Sequence, residues 1–287
     1  MSYPDDPALR ASTLSLLGGI WTRLPAVIAE ARTWGVDWTE VSTPFVELVD
    51  GRVIAHVGVL ELPVVLEGRR QTIAGVHAVC ADPEHRRRGH VRAAMERALA
   101  WIDARYPTAI LWANDPRIYG RFGFTPREES IFYGSVVGGS TGTLVPLSLD
   151  RLADVELVRA RLATRTAVSN WISGDDRGWL SLLDLALWSP RPSLALIPEL
   201  DCIVVYRVRE RFLDLYDVIA DRIPTRNEIA SRLGQNITAM VSYIGPEFDR
   251  ESPPLIAEPT TLDDQLMVRG AWPAGERPFA LSPIARC

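Results

Sequence analysis

The sequence contains no lysine, so all 31 basic residues among its 287 are arginines, which we attribute to the codon bias of a GC-rich genome. Even so, acidic residues outnumber them, and the formal net charge is −5. A protein that binds nucleic acid needs a broad basic surface in order to displace counterions from phosphates. The charge balance therefore argues against a nucleic-acid partner.

Cysteines and long apolar runs are also scarce. Cys80, Cys202 and Cys287 lack the spacing of metal ligands, and their odd number argues against a secreted disulfide scaffold. The first residues show no export signal, and no apolar run approaches the roughly 20 residues of a membrane-spanning helix. We therefore expect a cytoplasmic protein with no metal site and no membrane contact.

The chain is 47% hydrophobic and long enough to bury a full core, so we expect two packed halves. Residues 134–143 are rich in Gly, Ser, Thr and Val, which is typical of a linker. We predict a first domain over residues 1–135 and a second over residues 145–287. In the first, apolar hairpin patterns lead into a strand, a helix and another strand, which predicts an α/β fold with a mixed sheet.

Residues 76–124 organise this first half. Apolar residues recur on one face of a helix from Val91 to Ile102, and the short apolar runs before and after it predict buried strands. Two buried strands joined by a helix lie parallel, with a right-handed crossover. The turn into the helix then lies at the carboxyl end of a strand.

That turn, residues 84–91, combines Gly89 with a run of arginines. Backbone N–H groups and the positive end of a helix dipole suit a diphosphate, and a glycine lets the ligand approach the backbone. The alternative is a solvated basic face on a surface helix. The strand before the turn and the apolar helix after it favour the diphosphate site.

Two motifs carry a resemblance to a known family. The run Arg86-x-x-Gly89-x-Val91 follows a strand, and Tyr119-x-x-x-Gly-Phe124 comes some thirty residues later. Together they resemble the GNAT superfamily of acetyl-CoA-dependent N-acetyltransferases over about residues 45–135. Val91 departs from the small residue that ends the family's diphosphate signature, and this departure is similar to the Eis-type branch.

The resemblance implies acetyl-CoA as the cofactor and assigns residues to it. In the family, backbone groups at the end of the first strand bind the pantetheine arm, the turn binds the diphosphate, and the second strand ends beside the thioester. The matching residues here are Val79, Cys80, Ala81, Arg86, Arg87, Arg88, Gly89, His90, Val91, Arg92 and Asn114. We interpret Cys80 as a buried small residue rather than a nucleophile, and His77 as a strand residue rather than a base.

For the chemistry, the resemblance assigns Tyr119 as the acid that protonates the leaving thiolate, although Tyr119 could instead only pack against the CoA arm. The base is less apparent, and Glu84, Asp115, Glu40 and Asp37 are candidates. By analogy with the Eis-type branch, the α-carboxylate of Cys287 is a further catalytic candidate.

The acceptor is expected to be a small, polar, cationic amine, which suits an acidic protein. Aromatic faces and carboxylates bind ammonium groups, which points to Trp21, Asp37, Trp38, Glu40 and Asp115. Each could instead be a core or surface residue. The Eis-type resemblance implies an aminoglycoside-type antibiotic as the acceptor, and hence antibiotic resistance. The alternatives are protein or peptide N-acetylation and a non-catalytic acyl-CoA-binding regulatory module, and a homo-oligomer is left open.

The second half repeats the order of the first: an apolar strand at 213–220, a turn, a helix at 225–233 and a strand at 238–244. Its turn has no glycine and little positive charge. We therefore expect either a second GNAT-like half that has lost the cofactor site or an unrelated α+β accessory domain.

Overall fold

The structure is a computed structural model, and it describes residues 3–175, 178–260, 262–273, 275 and 277–286. The helices of this part of the chain are α1 (Pro7–Ile20), α2 (Leu24–Thr33), α3 (Trp38–Val41), α4 (His90–Asp103), α5 (Arg117–Gly120), α6 (Leu152–Thr164), α7 (Trp179–Leu187) and α8 (Arg226–Leu233). The strands are β1 (Ser42–Val49), β2 (Arg52–Leu66), β3 (Arg69–Ala81), β4 (Thr108–Ala113), β5 (Thr125–Arg127), β6 (Ser130–Ser135), β7 (Val145–Leu147), β8 (Ile172–Gly174), β9 (Ser193–Ile197), β10 (Cys202–Arg209), β11 (Phe212–Ala220), β12 (Ala239–Ser242), β13 (Ile256–Pro259) and β14 (Gln265–Gly270).

The first sheet has the order β1-β2-β3-β4-β14-β5, with β8 paired to β2. Its neighbours are antiparallel except β3 and β4, which are parallel and joined by α4. The predicted crossover is therefore confirmed. Helix α4 buries Ala94, Met95 and Ala98 against the sheet, as its apolar spacing predicts.

The second sheet has the order β13-β6-β12-β11-β10-β9-β7. Within it, β11 and β12 are parallel and are joined by α8, so the predicted repeat of strand, helix and strand is also present. Both sheets are mixed, in agreement with the predicted α/β fold.

The two sheets exchange strands across the predicted linker. Strand β6 belongs to the first half and ends at residue 135, but it pairs with β12 and β13 in the second sheet. Conversely, β8 and β14 belong to the second half and join the first sheet. Strand β14 fills the position between β4 and β5, where it buries Leu266, Met267 and Val268. The division at residues 135–145 stays a prediction about domains, and it does not coincide with a division between the sheets.

The N-terminal segment forms two helices. Residues 7–33 divide into α1 and α2, and α2 begins just before Pro25 because proline is tolerated in the first turn of a helix. Residues 7–12 belong to α1. Asp6 caps their helix by accepting a hydrogen bond from the backbone N–H of Leu9 at 2.9 Å.

The halves share one core. A single apolar cluster joins Leu17 and Ile28 of α1 and α2 to Leu182 of α7 and Ile219 of β11. Among the described residues, no helix is both long and apolar enough to cross a membrane. That same part of the chain brings no three potential metal-ligating side chains together.

The insertion of β14 makes a testable prediction. Met267 is 1% exposed in the core beneath α4, so Met267→Ala should lower the free energy of unfolding by about 2–5 kcal/mol. Val137→Ala is the control, because Val137 is 70% exposed and should change it by less than about 0.5 kcal/mol. Urea denaturation followed by fluorescence measures both. Equal effects of the two variants would show that β14 does not pack in the first sheet.

Candidate active site

Strands β3 and β4 separate after a short paired stretch. In the described part of the chain they are paired only at Ala74 with Ala109 and Gly75 with Ile110. Both strands continue beyond these pairs, β3 to Ala81. Because the ladder ends early, backbone groups near the carboxyl end of β3 face a gap in which a ligand can pair with them.

The turn before α4 opens directly at this gap. Gly89 is the N-cap of α4 with a φ of +86°, and no side chain caps the helix there. A Cβ atom built at Gly89 would meet nothing within 4 Å, so the space before the first N–H groups is open. Arg87, Arg88 and Arg92 are exposed around it. This arrangement of free donors and positive charge is that of an anion site.

The equivalent turn in the second half is closed. Thr225 and Glu228 form a capping box at the start of α8, and the Glu228 carboxylate accepts a hydrogen bond from the N–H of Thr225 at 2.7 Å. Arg226 is buried and forms a salt bridge with Asp249 at 2.7 Å. Within the described residues, the backbone N–H donors and the arginine charge at Gly89 are free, whereas at the start of α8 the corresponding groups already have partners within the chain.

Tyr119 lies in α5, half-buried beside Phe124, with the two ring centroids 6.3 Å apart. Burial raises the pKa of its phenol, and the nearby Cys80 thiol adds to this. Tyr119 is therefore protonated at neutral pH. Arg269 of β14 anchors the loop that contains Tyr119. It donates a hydrogen bond to the carbonyl of Phe122 at 3.0 Å and forms an ion pair with Asp103 at the end of α4.

The end of β3 contains the predicted pantetheine residues. Cys80 is buried, and burial raises the pKa of its thiol to about 12. A thiol with such a pKa is not a nucleophile at neutral pH. The interpretation of Cys80 as a small buried residue thus agrees with its surroundings.

A β-bulge diverts β3 just before Cys80. His56 of β2 lies opposite Cys80 while Gly58 lies opposite His77, and Ala78 between them has a φ of +49°. The Nδ1 atom of His56 lies 2.7 Å from the Ala78 carbonyl, and its Nε2 lies 2.6 Å from the Tyr3 hydroxyl. Since a carbonyl only accepts, we assign Nδ1 as the donor and Nε2 as the acceptor from Tyr3.

His77, next to the bulge, was not predicted as a site residue, yet it lines a cavity between α1, α2 and α7. Its Nε2 lies 2.8 Å from the Ser42 hydroxyl, and its ring lies over Gly58, where any Cβ would collide with it. Burial, with a contribution from His56, lowers the pKa of His77 to about 3. The ring is neutral at working pH and is a weak base, as the sequence-based interpretation held.

A cavity of about 730 Å³ lies between α1, α2, α7 and the separated ends of β3 and β4. Of the predicted residues, it brings together Trp21, Trp38 and Asn114. It also contains residues that sequence reasoning missed, namely His77, Asp184 and Asp264. Asp184 could have been found from the sequence, because it is the one charged residue in α7, which is otherwise mostly apolar.

Three predicted substrate carboxylates do not line this cavity. Asp37 caps α3 and forms salt bridges with Arg10 at 2.7 Å and Arg32 at 2.9 Å. Glu40 is exposed outside the lining. Asp115 is paired with Arg117 at 2.8 Å, and this arginine lowers the pKa of the carboxyl. Ion pairing and capping account for Asp37 and Asp115, and the predicted role of all three as substrate carboxylates stays a prediction.

Cys287 lies outside the described residues. The preceding Arg286 contacts two residues of the cavity lining: its backbone N–H donates to Asp184 at 2.8 Å, and its guanidinium lies 5.2 Å from the ring centroid of Trp112. The buried Glu129 holds both side chains, accepting from Arg286 at 3.0 Å and from the Trp112 indole at 2.9 Å.

Sequence comparison agrees with this geometry. A family model described as the acetyltransferase (GNAT) domain matches residues 20–127. Residues 20–127 are therefore similar to GNAT acetyltransferase domains. The match begins at the end of α1 and ends with β5, so the matched segment contains the open turn at Gly89 and the loop of Tyr119.

Curated relatives match a shorter stretch of the chain than the family model does. The N-acetyltransferase Eis of Mycobacterium tuberculosis (strain ATCC 25177 / H37Ra) is 38% identical over 82 residues, which are 24% of this chain and 20% of the relative. The same protein of Mycobacterium bovis (strain ATCC BAA-935 / AF2122/97) gives the same values. The match thus spans about a fifth of the length of these relatives.

Solved structures resemble the chain well beyond the segment that the family model matches. A protein of Enterococcus faecalis V583 described as a probable N-acyltransferase superposes with a TM-score of 0.57 at 16% identity, over 81% of this chain and 63% of its own. Eis1 of Mycobacterium abscessus gives 0.53 at 19% identity, over 78% and 63%. These coverages exceed the first half of the chain, so the shared fold includes part of the second half.

The two buried histidines predict how stability depends on pH. Burial lowers the pKa of His56 to about 4 and that of His77 to about 3, from 6.5 in the unfolded chain. Between pH 6.5 and 4 the unfolded state therefore binds more protons than the folded state, and stability falls as the pH falls. Each histidine contributes up to about 1.4 kcal/mol per pH unit.

Urea denaturation at several pH values from 7.5 to 4 would measure this slope. His77→Asn should reduce the slope, whereas His90→Gln, at the exposed turn, should leave it unchanged. An unchanged slope in His77→Asn would contradict the assignment of a buried, neutral His77.

Proposed function

We propose that this protein transfers an acetyl group from acetyl-CoA to an amine of a small cationic molecule. The observation that supports this most directly is the uncapped start of α4 at Gly89, which opens onto the gap between β3 and β4. The match of residues 20–127 to the GNAT domain supports the same reaction. Within this class, the likeness to Eis favours an aminoglycoside acceptor, whereas the lining of the cavity favours a monoamine, and acetylation of kanamycin distinguishes the two.

The residues of the turn suit acetyl-CoA, which would supply the activated thioester. The diphosphate would be held by the N–H groups after Gly89 and by the predicted arginines, and the pantetheine arm by the backbone of Val79 to Ala81. Asn114, at the open end of β4, faces the acceptor cavity.

Tyr119 is the proposed acid. Its raised pKa keeps a proton on the hydroxyl, and its loop is fixed to α4 and β14 through Arg269. We keep the α-carboxylate of Cys287 as the proposed base. The contacts of Arg286, its neighbour in sequence, with Asp184 and Trp112 of the cavity lining support this proposal.

The role of Tyr119 is tested by Tyr119→Phe. Loss of the proton donor should lower kcat by about 10- to 1,000-fold without changing the Kd for CoA. Tyr133→Phe, on β6 of the second sheet, is the matched control and should keep the parental kcat. Thiol release and calorimetry measure the two quantities. Parental turnover of Tyr119→Phe would remove this residue from the mechanism.

The role of the turn is tested by Gly89→Glu. A carboxylate at the helix start repels the diphosphate and occupies its space, so the Kd for CoA should rise about tenfold or more. Gly68→Glu is the control, because Gly68 also has a positive φ of +75° and open space around it but lies in the hairpin between β2 and β3. Equal losses of CoA affinity in both variants would indicate a general backbone effect and overturn the proposed diphosphate site.

A further inference from the structure

We propose that the acceptor is a primary amine on an apolar body, an arylalkylamine or alkylamine with one positive charge, rather than a sugar with many amines. This inference rests on the proposed acetyl transfer. It is carried by the chemistry of the cavity wall, which the residues of the GNAT motifs do not determine.

The wall is apolar on three sides. Helices α1 and α2 contribute Leu17, Ile20 and Leu24, and α7 contributes Leu180, Leu183 and Leu187 from the opposite side. The sheet beneath adds Leu60. Hydroxyl groups of a polyhydroxylated ligand would lose their hydrogen bonds to water against such side chains without gaining partners.

Aromatic side chains complete the wall. Trp21, Trp38 and Trp112 all line the cavity. At its rim, Trp21 is 41% exposed and Leu187 is 43% exposed, so apolar surface continues to the opening. Large exposed apolar side chains around a concave site mark a surface that is covered by an apolar ligand.

The charge of the lining suits one ammonium group. The carboxylates that the described residues bring to it are Asp184 and Asp264, against the guanidinium of Arg23, and the His77 ring is neutral. Asp264 accepts a hydrogen bond from the neutral amide of Asn114. A sugar with several ammonium groups would place more positive charge in the cavity than these side chains balance.

The position of Asp264 fixes the orientation of the amine. Asp264 directly precedes β14, whose first residue Gln265 is paired with Ala113 at the end of β4. The carboxylate therefore lies at the open ends of the strands, while Leu17, Leu180 and Leu183 of the lining are buried. An amine held near Asp264 would face the gap and its apolar body would fill the cavity.

The substrate class is tested with a panel of amines in the thiol-release assay. For n-alkylamines from butylamine to octylamine, kcat/KM should rise about three- to fourfold per methylene group. 2-Phenylethylamine and tryptamine should exceed kanamycin and spermidine by about 100-fold or more, because the latter leave polar groups unpaired. A flat alkylamine series, or kanamycin as the better substrate, would overturn this substrate class and leave acetyl transfer intact.

The charge assignment is tested with Asp264→Asn, which keeps the size of the side chain. The KM for tryptamine should rise about tenfold or more, while the KM for acetyl-CoA stays within about twofold. Asp263→Asn is the matched control, because Asp263 is exposed and outside the cavity lining, and both KM values should stay parental. An unchanged KM for tryptamine in Asp264→Asn would overturn the assignment.

A binding measurement separates this inference from the proposed function. Octylamine should quench the fluorescence of the cavity tryptophans in the absence of acetyl-CoA, and Asp264→Asn should weaken this binding. If octylamine bound in this way but no amine of the panel were acetylated, acetyl transfer would be overturned while the ligand class would be supported. If octylamine did not bind and kanamycin were acetylated, the ligand class would be overturned.

Discussion

The early end of hydrogen bonding between β3 and β4 is the constraint on which the rest of the site depends. The strands share only two residue pairs, and the bulge at Ala78 then diverts β3. His56 fixes the bulge by bonding its carbonyl, and Tyr3 holds His56. This support is buried, and burial keeps His56 neutral. The gap meets the open turn at Gly89 at one end and the apolar cavity alongside.

The two strand-helix-strand crossovers show how few residues decide whether such a turn binds an anion. In the first, Gly89 leaves the N–H groups of α4 without a side-chain cap. In the second, Thr225 and Glu228 satisfy the corresponding groups of α8, and an acidic residue occupies the place of the ligand. The same backbone plan therefore leaves free donors at the helix start in one half and a capped helix start in the other.

The features that could be predicted from the sequence are those formed by residues close together in the chain. Helix α4, the turn at Gly89 and the parallel strands around them depend on neighbouring residues, and their patterns predicted them. The ion pairs of Asp37 could not be predicted, because its partners Arg10 and Arg32 become neighbours only when α1 and α2 pack together. Asp264 could not be found either, since β14 joins β4 across some 150 residues of chain.

The features that the sequence predicted lie on the proposed acyl-donor side of the site, and those that it missed lie on the proposed acceptor side. The donor side lies within the segment that matches the GNAT domain, and it consists of local motifs. The acceptor wall is completed by α7 and by Asp264, which lie outside that segment and reach it only through the shared core. A change in the second half can thus alter the acceptor without touching the turn at Gly89. Likeness in the motifs therefore carries information about the acyl donor, and the acceptor must be inferred from the cavity that the whole chain forms.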